Sequence, residues 1–330
     1  MTKTLDWLLD PASPGVRYLA LRDLVGLPAD DPKLAAARKE AHTKGPIADI
    51  LAKMQPEGYW VRPGHGYNPK YFSIVWSLIM LAQLGGSSTE DERIARACNY
   101  LLDKNLQKDG QFTCTGTPGG TVDCLQGNML RALVTLGCDD PRLVKSYEWM
   151  ARTVTGEGMA PNSEKDAPLR YYAYKCGPDF ACGANGNKPC AWGAVKVMLA
   201  FGAWPAERRT PLIKRAIKQG AEFLLGSDPA KADYPTRTGA KTSRSWFTFG
   251  FPVFYVTDVL QIVEAMVGLG YGADPRLANA LELIRSKQDD QGRWALDYDY
   301  AGKTWVEFGA KHEPNPWVTL RAMRVLKESI

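Results

Sequence analysis

The chain has 330 residues, 45% of them hydrophobic and 23% charged, which excludes a disordered chain and supplies apolar side chains for a large core. Its formal charge of +5 comes from 41 Lys and Arg set against 36 Asp and Glu. Because the two signs are interleaved, as in Arg38-Lys39-Glu40 and Glu92-Arg93, the charges read as solvated helix faces, and no nucleic-acid partner is expected.

The N-terminal Met1 to Trp7 segment has no basic stretch followed by a long apolar run, so neither a leader nor a membrane span is expected and the cytoplasm is the default location. A recurring turn, Gln-x-x-Gly-x-aromatic, then marks the chain: Gln55 to Trp60, Gln107 to Phe112 and Gln288 to Trp294, with Thr155 to Met159 a degenerate copy. In each, Gly suits a left-handed turn and the ring packs back on the helix before it. After each turn a loop leads to an apolar helix, predicted over Lys70 to Leu84, Asp123 to Leu136, Pro189 to Phe201, Pro252 to Leu269 and Pro316 to Leu326. These are apolar nearly all round, as helices buried on both sides must be. Between them lie amphipathic helices predicted over Glu90 to Lys104, Pro141 to Thr153, Thr210 to Leu225 and Asp274 to Lys287.

Inner and outer helices alternating at a period of roughly fifty residues predict an all-α protein, an α/α toroid forming one domain over residues 1–330. The repeated turns resemble the QW repeats of squalene and hopene cyclases, whose α/α-barrel fold is shared with protein prenyltransferase β subunits. The resemblance implies a central cavity with its catalytic groups at the starts of the inner helices. That places Tyr71, Trp192, Phe254, Tyr255 and Trp317 as an aromatic lining for a small hydrophobic or aromatic substrate. Packed core rings are the competing reading for each. The Asp123-Cys124 pair is similar in type and place to the zinc-binding Asp and Cys of the prenyltransferases. The acidic clusters Asp289-Asp290 and Asp297-Tyr298-Asp299 fall in a repeat turn and a loop, not at an inner-helix start.

Five of seven cysteines fall between Cys114 and Cys190. Cys124, Cys182 and Cys190, with Cys176 as fourth ligand or close beside, are expected to hold one zinc, since thiols at helix starts favour the thiolate; a disulfide or unpaired thiols are the alternatives. Cys114 is a spare ligand, a resolving thiol or without a role, whereas Cys98 and Cys138 read as small buried hydrophobes. Asp258, His312 and Asp123 are the catalytic candidates, with His65 a further acid or base. Asp258, expected one turn into an apolar helix, is either held by Lys70, Lys196, Arg131 or a backbone amide, or faces the cavity as base or anchor. Together these features predict a zinc-dependent hydrolase of ester-type substrates, carboxylic or phosphoric, in an aromatic cavity. Two other readings stand beside it: an isoprenoid transferase or cyclase, and a non-catalytic binder of hydrophobic ligands with structural zinc.

Overall fold

The computed structural model describes residues 3–171, 177–239 and 242–329. Among them are thirteen α-helices: α1 Lys3–Leu8, α2 Pro14–Ala20, α3 Pro32–Thr43, α4 Pro46–Leu51, α5 Ile74–Gln83, α6 Glu92–Asn105, α7 Asp123–Thr135, α8 Arg142–Thr155, α9 Ala191–Ala203, α10 Pro211–Leu225, α11 Val259–Gly268, α12 Ala278–Ser286 and α13 Pro316–Glu328. The extended structure amounts to two pairs of two-residue strands, Ala160–Pro161 with Arg170–Tyr171 and Ala181–Cys182 with Lys188–Pro189.

The inner helices pack in chain order, α5 on α7, α7 on α9, α9 on α11 and α11 on α13. Helix α13 then meets α2, and α2 meets the end of α5, where a Cβ on Gly85 would stand 2.7 Å from Leu19, so the ring closes. Helices α6, α8, α10 and α12 form the outer layer. The burial pattern explains the division: Ile74 through Ala82 of α5 are all buried, whereas α6 buries only the stripe Ile94, Ala97, Cys98, Leu101, Leu102 and Asn105. The α/α-toroid expectation is thus met.

The repeated turns act as the sequence implies. Trp60 and Trp294 are fully buried, and each donates its indole N–H to a carbonyl ten residues back, Ile50 at 2.8 Å and Ile284 at 2.7 Å. Gly58 sits at φ 100°, and a Cβ there would lie 2.9 Å from the carbonyl oxygen of Arg96, so the turn admits glycine alone. The following inner helix locks the turn: Gln126 accepts from Phe112 N–H at 2.7 Å, and Thr319 does the same for Trp294 at 2.9 Å.

Two inner helices begin later than the apolar runs suggest. Residues Pro252 to Thr257 are not helical, because Gln83 of α5 uses its amide to pair with both backbone groups of Val253, at 2.8 and 2.9 Å. Asp258 is consequently the N-cap of α11, accepting from Gln261 N–H at 2.7 Å, and does not lie one turn inside the helix. Helix α5 likewise starts at Ile74 instead of Lys70.

Candidate functional site

The two halves of the ring interior differ. Loops leading into α5, α11 and α13 fill one half with aromatic rings. Trp76 is completely buried, with Tyr67, Tyr71, Phe254 and Tyr255 at centroid distances of 5.4, 4.9, 5.3 and 5.2 Å, and Tyr300 stands 4.5 Å from Tyr71. The expected substrate rings Tyr71, Phe254 and Tyr255 therefore pack on one another and do not line the open space. Trp192 is half-buried at the start of α9.

The open space lies beside this plug. A cavity of about 150 Å³ is walled by the second halves of α5 and α7, the middle of α9 and α11, the first half of α13, and the π-helical turn Leu21–Val25 that continues α2. Its apolar side is Leu19, Ile79, Phe251, Val253, Trp317 and Leu320, with Phe251 stacked on Trp317 at 4.8 Å and 9°. Of the five rings expected to bind substrate, Trp317 is the one in this wall. Its polar side carries Arg22, Arg131, Lys196, Arg321 and Arg324 against a single carboxylate, Glu264.

These charges are held very differently. Arg321, 5% exposed, donates to Glu264 at 2.9 Å and to the Gly250 carbonyl at 2.8 Å, with Asp258 behind it at 3.4 Å. Burial pushes the Glu264 carboxyl upward, but the guanidiniums of Arg321 and Arg131 outweigh it and hold the group below its ordinary range. Asp258 stays above its own range because burial dominates even with Arg321 nearby. Arg324 pairs with Asp23, which also accepts from Arg22 at 2.6 Å.

Lys196, 2% exposed, donates to the side-chain oxygen of Gln261, and burial lowers its amine to about 7. It stands where α7 and α9 are closest: a Cβ on Gly127 would lie 2.4 Å from the Lys196 carbonyl, so only glycine permits this approach. One turn further along α7 is Arg131. It lines the cavity, and among the described residues it has no hydrogen bond or close ion pair; burial lowers its pKa although Glu264 opposes this.

The remaining expected residues lie elsewhere. Asp258 is behind Arg321 and outside the cavity wall. His312 is exposed in the loop before α13. Asp123, buried in the first turn of α7, faces the start of α9, its Cβ 3.2 Å from where a Cβ on Gly193 would be. His65 meets the Lys104 carbonyl at 2.6 Å. The signal for Glu264 and Arg321 was available: like Lys196, each is a charge five residues into its inner helix, counted from Val259 and Pro316.

The zinc-dependent hydrolase reading is corrected by the side chains themselves. Among the described residues no three His, Cys, Asp or Glu groups gather as a metal-holding set. Cys176 lies outside the described residues. Cys182 and Cys190 hydrogen-bond each other, which lowers Cys182 to about 6 and raises Cys190, while burial pushes the Cys124 thiol up to about 12, away from the ligating form. Cys114 donates to the Gly120 carbonyl at 3.0 Å, and Cys98 and Cys138 pair with each other. No water-activation step is derived from these thiols.

No protein-family model and no curated protein matches the sequence. Solved structures similar to the chain include the type II terpene cyclase MstE from Scytonema, with 11% identity over 88% of this chain and 97% of that one and a TM-score of 0.33. They also include a protein from Actinoplanes, with 13% identity, coverages of 89% and 99% and a TM-score of 0.30. A Family 10 polysaccharide lyase from Cellvibrio cellulosa has 14% identity, coverages of 71% and 80% and a TM-score of 0.30. At these similarities the neighbours say nothing about the site. Among the described residues no helix is long and apolar enough to cross a membrane.

Proposed function

We propose that the protein is an enzyme of the terpenoid cyclase or prenyl transferase kind, acting on a compact isoprenoid that carries an anionic group. The observation that carries this reading is Arg131, a half-buried guanidinium that makes no hydrogen bond or close ion pair among the described residues and lines a cavity shared with Phe251, Trp317 and other apolar side chains. A half-buried cation without a hydrogen-bonding partner leaves donors that an anionic ligand in the cavity would complete. The repeated Gln-x-x-Gly-x-aromatic turns, similar to those of the cyclases, support the isoprenoid class.

In this reading Arg131 holds the anionic end and stabilises the negative charge that grows on a departing group, while the stacked faces of Phe251 and Trp317 lie beside the hydrocarbon and any cation formed on it. The cavity of about 150 Å³ takes a compact unit, and a longer chain must extend past the exposed Arg22. Incubation with a panel of prenyl diphosphates and prenylated carboxylic acids, followed by mass spectrometry of the extract, tests the proposal. Conversion of at least one member by the native chain and its loss in Arg131→Ala are expected. Binding without conversion would leave a carrier instead of an enzyme, and neither binding nor conversion would remove the isoprenoid reading.

A further inference from the structure

Lys196 has a place in the cavity that anion binding alone does not explain. A lysine kept only for its charge would face a carboxylate. Lys196 instead donates its hydrogen bond to the neutral amide oxygen of Gln261; Asp258 attracts it only from a distance, and the Glu264 and Asp258 carboxylates are paired with Arg321. Its backbone is fixed against Gly127, so the side chain is presented at one position in the wall, among guanidiniums that disfavour a second cation. A desolvated amine beside other cations is the arrangement that makes lysine a nucleophile.

We propose that Lys196 forms a Schiff base with a small carbonyl compound bearing a carboxylate, the carboxylate docking on Arg131. The nitrogen lone pair of the neutral amine attacks the carbonyl carbon, forming the C–N bond as the C=O π pair moves to oxygen. That oxygen takes up the proton the nitrogen sheds, and it departs as water with a second proton when the C=N bond forms. Amine and carbonyl thus give imine and water, with no outside oxidant or reductant. The 150 Å³ cavity accommodates a two- or three-carbon oxo acid. Burial brings the amine to about 7, so a substantial fraction is neutral at physiological pH, where exposed lysines near 10.4 are protonated. This inference uses the cavity but does not depend on the isoprenoid reading.

Glyoxylate or pyruvate added with cyanoborohydride, which reduces an imine to a stable amine, provides the test. Intact mass and peptide mapping should show one adduct, on the peptide containing Lys196. The rate should rise with pH about a midpoint near 7, be abolished in Lys196→Arg, and fall at least tenfold in Arg131→Ala while an uncharged aldehyde reacts with both Arg131 forms alike. Far-ultraviolet circular dichroism confirms that each variant is folded, and Lys196→Met repeats the test should Lys196→Arg not fold. Adducts spread over surface lysines, or none on Lys196 in the folded native chain, would overturn the proposal, whatever the prenyl panel shows.

Discussion

The two halves of the ring interior show how one scaffold separates stability from function. The aromatic plug around Trp76 satisfies itself: rings fill the volume, and the indole N–H donates to the Tyr67 carbonyl at 2.8 Å. The neighbouring cavity is lined by five basic side chains and one carboxylate, and among the described residues Arg131 makes no hydrogen bond or close ion pair. The plug is explained by folding, and the cavity is the part of the interior left open to a ligand.

Substitutions that cut one half while leaving the other intact sharpen the contrast. Trp76→Ala removes the ring at the centre of the plug and should destabilise by about 3–5 kcal/mol in urea unfolding, with ligand affinity at the cavity unchanged wherever the chain is still folded. Arg321→Ala strands Glu264 and Asp258 without their cation, so a loss of about 3–5 kcal/mol is expected, this time together with loss of ligand binding.

The third effect depends on pH. Lys196 has a folded value of about 7, below its unfolded one, so between about pH 7 and 10 the unfolded chain binds the extra proton and stability rises with pH. The slope should approach about 1.4 kcal/mol per pH unit at most, and it should vanish in Lys196→Met. Unfolding curves at several pH values decide this; equal slopes in the two proteins would show that the amine is charged in the fold. Smallest is Arg131→Ala, which should change stability by less than about 1 kcal/mol, since the guanidinium removed is half-buried and held only by longer-range attraction to Glu264. A drop in melting temperature would mean that Arg131 has a structural partner after all.

Much of the fold was readable because its signals are local. Each Gln-x-x-Gly-x-aromatic turn is six or seven residues long, and the apolar inner helices stand out against their amphipathic neighbours. The helix starts were harder, because the pairing that keeps Val253 out of a helix comes from Gln83, 170 positions away. The site was least legible. Rings at inner-helix starts look alike whether they face a cavity or one another, and the structure leaves Trp317 in the wall while Tyr71, Phe254 and Tyr255 join the plug. Cysteines clustered in sequence suggest a metal, yet Cys182 pairs with Cys190, Cys114 turns to the Gly120 carbonyl and burial keeps Cys124 protonated. The charges that meet at the cavity, Arg131, Lys196, Glu264 and Arg321, come from four helices and show in sequence only as isolated charges within apolar runs.

The central claim is that the cavity binds an apolar molecule by its anionic end on Arg131. Isothermal titration of the native chain and of Arg131→Ala with a short prenyl diphosphate and with the matching prenyl alcohol tests it most directly. The account predicts that the native chain binds the anion at least tenfold more tightly than the alcohol, and that Arg131→Ala loses this preference while retaining its stability. Equal affinities of the native chain for anion and alcohol, or an anion preference that survives in Arg131→Ala, would contradict it.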